Sequence, residues 1–483
     1  MIKSLTINIG INNTVLLLFA AATAALAVLY LPAQAIFAMA GLITFLAIYL
    51  KFPKFTLFFL AVFLLFQDLI ALQFSQGSLW EVMLKRAEEA ILLMLFSTTV
   101  LRKAALGEKW KKSSIDLPLI LLVVIAAISS FANNIVAYKV ASFDLFILLK
   151  SFLIFYIFYD FPFKKEDVVK ISKVFFGISV LVLLFGVVDL LAPAGFRNLI
   201  NNKLFIDYRF GIPAIQSVFV HPGVFGWFMA FCACFTLAFF IILRGKGSLF
   251  LSICFSLGLL FSMRLKPVLG LAAAIFAALM LTPGAKKVRF LFVAGLIILL
   301  LASIFGDKVN MLFEDKIYSY LRAPDLSRQA RNVLYATSLR IAKDFFPFGS
   351  GLGTFAGWIS SLYYSPLYSQ YGISTVYGLQ KGGRFITDTF WPYIIAQFGF
   401  FGCVCYVWIL FSIIKSVVRV FKTINDMFLR AFALGSLMIL TEAIVETIAS
   451  QTLLKAPQNF FIFATLGIAC SLLETEKRTW VQL

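Results

Sequence analysis

The sequence predicts an all-α polytopic membrane protein of about fourteen transmembrane helices. Three observations predict it. The 483 residues are 61% hydrophobic, with a mean hydropathy of +0.96. The apolar stretches recur near the ~20 residues that carry a helix across a hydrocarbon core of ~30 Å. Alternating ten-residue segments of the kind that build an outer-membrane barrel are absent, and a helix satisfies its own backbone in lipid.

The elements follow in chain order. Met1–Thr14 is polar with one lysine, Lys3, and runs directly into an apolar stretch. No cleavable signal peptide is visible, so the first span is expected to direct insertion. Spans are expected at roughly 14–31, 33–50, 55–72, 80–101, 116–132, 141–160, 168–191, 222–243, 248–263, 267–282 and 288–305, then at 391–414, 428–448 and 457–473. Residues 262–268 are short and polar enough to be a break inside one long hairpin. This divides the chain into helices 1–11 over residues 1–305, with an outer segment at 193–221; a long loop over 306–390; and helices 12–14 over 391–483. No internal repeat is evident, which weighs against transporters built from inverted repeats.

Charge orients the bundle. With the N-terminus in the cytoplasm, the inner connections hold cations such as Lys51, Lys54, Arg102, Lys103, Lys111, Lys164, Lys165, Lys415 and Arg419. The short outer connections hold only Lys139, Arg264, Lys266 and Lys455. Lys and Arg favour cytoplasmic loops, so both termini are expected there, with the long loop on the outer side. The net charge of +19 therefore reflects topology and does not call for a nucleic-acid partner. The six cysteines, Cys232, Cys234, Cys254, Cys403, Cys405 and Cys470, fall inside expected spans and suggest neither a disulfide framework nor a zinc site.

Some cations break the topological rule. Arg264 and Lys266 sit on the outer side, in the turn Ser262-Met263-Arg264-Leu265-Lys266-Pro267. Arg209, Arg322, Arg328, Arg331 and Arg340 also fall outside. An arginine fork and a lysine point charge suit a phosphate group. Headgroup anchoring explains any one of them as simply, but less readily the whole set. Arg328, Arg331 and Tyr335 share a helix face, while Leu334, Ser338, Ile341 and Phe345 line another that suits a helix lying on the membrane. Pro347 ends that helix, and Gly349, Gly351 and Gly353 form a flexible turn. The Tyr- and Ser-rich stretch from Tyr363 to Tyr377 reads as an interfacial lid or a polar groove wall.

Asp388 lies three residues before Trp391-Pro392, where the long loop re-enters the membrane. It is placed to take a proton from a hydroxyl, or more simply to cap the next helix. His221, the single histidine, precedes Pro222 at a span start. It reads as an accessory site residue or as a helix-end histidine. Glu81, Lys85 and Glu89 form a ladder, with Arg86 and Glu88 beside it, and are expected to neutralise one another. Asp144, Lys150, Asp189, Glu442 and Glu446 are costly in lipid and should face the bundle interior.

These residues resemble the O-antigen ligase and polymerase superfamily. The resemblance rests on Ser327-Arg328-Gln329-Ala330-Arg331-Asn332-Val333-Leu334-Tyr335 followed by Phe346-Pro347-Phe348-Gly349-Ser350-Gly351-Leu352-Gly353-Thr354-Phe355. It extends to Thr387-Asp388-Thr389-Phe390, to Gln397-Phe398-Gly399-Phe400-Phe401-Gly402, to Ser262-Met263-Arg264, and to Arg209 with Phe219-Val220-His221-Pro222. It covers roughly residues 205–405.

The resemblance implies a GT-C-like glycosyltransferase bundle that works at the periplasmic face without metal or other cofactor. Its donor would be an oligosaccharide on undecaprenyl diphosphate. Arg264 and Arg331 would bind the diphosphate, with Arg209, Lys266 and Arg328 assisting and His221, Tyr335 and Arg384 as accessory residues. Ligases of the family carry a histidine as proposed base before the helix after the long loop; that position here is Asp388, and His221 does not align with it. A polysaccharide polymerase acting on a second lipid-linked repeat unit is therefore favoured over a ligase acting on lipid A-core. Membrane lipids and a chain-length regulator protein are the other expected partners. A lipid-linked oligosaccharide flippase is the non-enzyme alternative. Protein O-oligosaccharyltransfer and peptidoglycan polymerisation are further alternatives.

Overall fold

The computed structural model describes residues 33–75, 77–201, 206–209, 211–282 and 330–481. The expected spans at 14–31 and 288–305 lie outside the described residues, as do Arg322 and Arg328.

Nearly everything described is helical. The first six helices are α1 (Ala33–Lys51), α2 (Pro53–Ala71), α3 (Leu79–Leu106), α4 (Asp116–Asn133), α5 (Tyr138–Asp160) and α6 (Lys165–Leu191). The short α7 (Pro193–Leu199) leads into a two-stranded hairpin, β1 (Tyr208–Arg209) and β2 (Ile212–Pro213), turned at Gly211. Then come α8 (Pro222–Leu243), α9 (Lys246–Phe261), α10 (Leu265–Leu281) and α11 (Ala330–Asp344). Two short helices, α12 (Trp358–Leu362) and α13 (Leu367–Gln370), precede α14 (Trp391–Thr423), α15 (Met427–Glu446) and α16 (Gln458–Val481).

Seven of these helices are long and apolar enough to cross a membrane: α2, α4, α5, α6, α8, α14 and α15; α9, α10 and residues 458–472 of α16 are shorter apolar helices. The outward faces of α4 and α6 carry Leu117, Ile120, Val124, Leu181, Leu184 and Val188, all exposed. Aliphatic side chains on the outside of a bundle suit contact with lipid. The interior is packed with aromatic rings: Trp227, Phe228 and Phe231 of α8 are buried, and Phe231 meets Phe461 of α16 edge-on at 5.7 Å. Helix α15 packs against α8 and α10, α16 against α5, and α14 against α4.

The break expected at 262–268 is real. Helix α9 ends at Phe261, Met263 takes the left-handed conformation at φ 53°, and Arg264 is the N-cap of α10. Gly226 makes room for the turn, since a Cβ there would meet Ser262 Oγ at 2.5 Å.

The loop after α11 corrects two expectations. Leu334, Ser338 and Ile341 do not lie on a membrane surface; they are fully buried, because α11 packs its apolar face on α14. The glycine turn is not flexible. Gly349, Gly351 and Gly353 have φ of 77°, 98° and 74°, and the segment wedges into the bundle. Ser350 N–H and Gly351 N–H donate to the carbonyls of Ala396 and Gln397 at 2.8 and 2.9 Å. Ser129 Oγ and Asn133 Nδ2 of α4 donate to the Gly349 carbonyl at 2.6 and 2.9 Å. At Gly399, α14 itself departs from helical geometry, which frees Ala396 and Gln397 to receive the loop. A Cβ on Gly349 would lie 2.3 Å from Gly399 N.

The interior acids expected from the sequence are interior. Asp144 Oδ2 accepts from Gly353 N–H at 3.0 Å and Tyr393 OH at 3.1 Å. Asp189 pairs with Arg197 at 2.9 Å and accepts the N–H groups of Gln216 and Ser217. Glu88 pairs with Lys150 at 3.2 Å. The ladder on α3 neutralises itself except at Glu88: Lys85 pairs with Glu81 and Arg86 with Glu89 at 3.8 Å, whereas Glu88 turns to Lys150, and Arg86 also stacks over Trp358 of α12 at 4.2 Å. The Tyr-rich stretch is anchored at its centre, while Tyr363 and Tyr377 are exposed. Tyr368 is fully buried, receives Ala356 N–H at 2.9 Å and shares a bond with Ser360 Oγ.

Candidate active site

Four of the outer cations named from the sequence, Arg209, Arg264, Lys266 and Arg331, gather at one end of the bundle. The opposite end holds the cations expected on the inner side: Lys54 on Asp167 at 2.6 Å, Lys103 on Asp160 at 2.9 Å and Lys165 on Asp426 at 2.5 Å.

Three segments distant in sequence build the site. The first is the β1–β2 hairpin, anchored by Ala214 N–H to Asp207 O at 2.8 Å and by Ile215 N–H to Phe261 O at 3.0 Å. Asp207 sits between two arginines. It accepts from Arg264 Nη2 at 2.8 Å and from Arg209 Nε at 3.3 Å, and Arg209 Nη1 also donates to Met263 O at 3.0 Å. The hairpin is thus tied to the α9–α10 turn, and both guanidiniums stand beside one carboxylate. Burial and the neighbouring Arg209 draw the Arg264 pKa down, and Asp207 opposes that shift.

The second segment is the start of α11 with the approach to α14. Arg331 Nη2 donates to Asp388 Oδ2 at 2.7 Å. One turn on, Tyr335 OH donates to Ile448 O at 2.8 Å, so Arg331 and Tyr335 do present one face to the site. Desolvation pushes the Tyr335 phenol up to about 12, with Arg331 opposing, so it acts as a neutral donor at physiological pH. Asp388 is not the helix cap: Phe390 occupies the N-cap of α14 with no side-chain bond, and Asp388 turns back to Arg331.

The third segment was missed at the sequence level. Residues 447–457 between α15 and α16 form the floor of the site. Lys266 Nζ donates to Ala449 O. Thr447 O receives Phe390 N–H at 3.3 Å, and Thr447 Oγ1 receives Trp391 Nε1 at 3.1 Å. Gln451 Nε2 donates to Ala356 O at 2.6 Å and Thr389 O at 3.2 Å. The polar run Ala449-Ser450-Gln451-Thr452 between two apolar helices was the available signal.

Lys266 joins the parts electrostatically: its field partners are Arg331, Asp388, Glu446 and Arg264. Among the described residues no carboxylate lies within ion-pair distance of it, whereas Arg209, Arg264 and Arg331 each have one. His221 belongs to the same cluster. Its pKa is pushed down to about 4, first by desolvation, then by Arg264, Lys455 and Lys266, with Asp207 opposing. Lys455 is therefore a further cation of the site.

Helices α8 and α10 both begin at this end, so the positive ends of their dipoles add to the field. Arg384 is exposed and makes no ion pair with a described residue; nothing ties it to the cluster. Arg328 lies outside the described residues. The arrangement can hold an anion with several bonding oxygens and present a carboxylate, Asp388, to a hydroxyl beside it. Neither the protein-family models nor the curated proteins compared with this chain give a match.

Proposed function

We propose that the chain is a membrane glycosyltransferase of the polysaccharide polymerase kind. It would move a glycan from undecaprenyl diphosphate to a sugar hydroxyl of a second lipid-linked repeat unit, at the periplasmic face of the inner membrane. The observation that carries this reading is the convergence of Arg209, Arg264, Lys266 and Arg331 with Asp388 at one end of the bundle, from segments up to about 180 residues apart.

In this mechanism the acceptor hydroxyl oxygen attacks the anomeric carbon. The bond from that carbon to the diphosphate oxygen breaks, and the electron pair leaves with undecaprenyl diphosphate. The hydroxyl proton passes to Asp388, whose Oδ1 makes no hydrogen bond with a described residue. Arg264, Arg331 and Lys266 stabilise the charge that grows on the departing diphosphate; fixed cations aimed at developing charge are an effective form of catalysis. One direct displacement inverts the anomeric carbon.

The transport reading has less support. The buried charges Glu88, Asp144, Lys150, Asp189 and Arg197 are each bonded to a local partner, and Glu446 accepts from Thr452 Oγ1, which is how structural charges are held; Glu442 is the exception, fully buried with neither carboxylate oxygen bonded to a described residue. The test is reconstitution with a lipid-linked repeat unit alone. A ladder of lengthening glycans supports a polymerase. No ladder, but transfer when lipid A-core is added, moves the assignment to a ligase. Movement of intact donor across the bilayer without transfer removes the enzyme reading.

A further inference from the structure

The sequence holds one histidine, and its environment assigns it a particular chemical form. His221 is the N-cap of α8, and its Nδ1 accepts Gly223 N–H at 2.9 Å. A ring nitrogen that accepts a hydrogen bond carries no proton, so the neutral ring keeps its proton on Nε2. The contact is close: a Cβ added at Gly223 would lie 2.9 Å from Nδ1, so glycine is what lets the ring seat against the backbone. Nε2 makes no hydrogen bond with a described residue, and the residue is exposed.

The groups around the ring come from three elements. Arg264 and Lys266 approach from the start of α10, Lys455 from the floor loop, and Asp207 from the hairpin. Desolvation first, and then three cations against one carboxylate, keep a second proton off the ring. The result is a neutral N–H donor standing in a positive field, and such a donor suits an anion. The ring is poorly placed to be a base, because Nε2 already carries its proton and Nδ1 is closed by the backbone.

We infer that His221 donates its Nε2–H to a phosphoryl oxygen of the lipid-linked diphosphate, beside Arg264 and Lys266, and takes no part in proton abstraction. This rests on the reading of the site given above, and two separate measurements distinguish their failures.

The first measurement is calorimetric binding of inorganic pyrophosphate to the full chain in detergent, for wild type, R264A, H221N and H221Q. Asparagine keeps an oxygen able to accept Gly223 N–H and cap the helix, but does not extend a donor to the position of Nε2. H221N should bind pyrophosphate roughly tenfold more weakly, as expected for one hydrogen bond to a charged group. Its thermal unfolding midpoint at neutral pH should match wild type. H221Q, with an amide N–H near the Nε2 position, should recover part of the loss.

Equal binding by wild type, H221N and H221Q, with binding lost in R264A, overturns the role of His221 and leaves the anion site standing. No binding by wild type overturns both. The second measurement is steady-state transfer with the lipid-linked repeat unit. A lowered kcat/KM with the pH profile unchanged supports a donor to the diphosphate; a collapsed kcat with an altered pH profile makes His221 a base and overturns the inference.

Discussion

Arg331 and Asp388 stand 57 positions apart in the chain and meet at 2.7 Å, where α11 passes the approach to α14. The contact joins the two residues that the sequence marks most clearly for chemistry, one as anion binder and one as base. Each keeps bonding capacity to spare, since a guanidinium has five N–H donors and a carboxylate two oxygens. A substrate anion and an acceptor hydroxyl can therefore engage the pair without first breaking it.

That pair should matter to activity far more than to stability. Both side chains are about a third exposed, and such ion pairs contribute only ~0.2–1 kcal/mol. Asp388→Asn should lower kcat by about 100-fold or more, as expected for loss of a general base, while the unfolding midpoint barely moves. Arg331→Ala and Arg264→Ala should each shorten or abolish glycan ladders on gels. Ladders of wild-type length in both arginine variants would remove the anion-binding role.

Gly349 and Gly399 should tolerate no side chain. A Cβ on Gly349 meets Gly399 N at 2.3 Å, one on Gly399 meets Pro347 O at 2.4 Å, and both residues have positive φ. Backbone strain and the clash act together, so either alanine variant should lose about 3 kcal/mol or more. Thermal unfolding in detergent measures this; Gly372, also at positive φ but with open space around it, is the control and should lose less.

Asp144 should prove structural. Asp144→Ala leaves the buried Tyr393 hydroxyl without its acceptor, which costs about 1–3 kcal/mol. Adding Tyr393→Phe removes the orphaned hydroxyl and should return part of the loss. Simple additivity of the two substitutions would show that the contact is not coupled.

His221 should make stability depend on pH in one direction. Its folded pKa lies near 4, below the ordinary value of 6.5, so the unfolded chain binds more protons between those values. Stability should rise with pH across that window and level off above it; on acidification it is lost as the pH falls from about 6.5 to 4. Unfolding midpoints of wild type and His221→Asn should diverge below pH 6.5, with wild type falling faster, and run parallel above it.

Much of this was legible in the sequence, for reasons that also mark its limits. The break at Met263 and Arg264 was readable from a polar turn between apolar runs. The shared face of Arg331 and Tyr335 follows from helical spacing. The interior placement of Asp144, Asp189 and Glu442 follows from the cost of charge in lipid.

What failed was the choice of partner. Leu334 and Ile341 announce an apolar face, but lipid and the side of α14 are equally apolar, so composition does not distinguish them. The glycines at 349, 351 and 353 announce unusual backbone, yet their rigidity comes from α4 and α14, over 200 residues away in the first case. Asp207 and residues 447–457 carried no chemical motif. They matter because Arg264 and Lys266 land on them.

The seam between the glycine loop and the bundle has one more consequence. Ser129, Asn133, Asp144 and Gln397 lie in helices of the bundle, and all four bond to backbone groups of residues 349–355. The loop is therefore not an appendage carried on a finished membrane scaffold. Without it those helices would face one another across orphaned polar groups, so excising or transplanting the loop should unmake the core as well as the site. The part that looks extramembrane in the sequence is an interior wall of the fold.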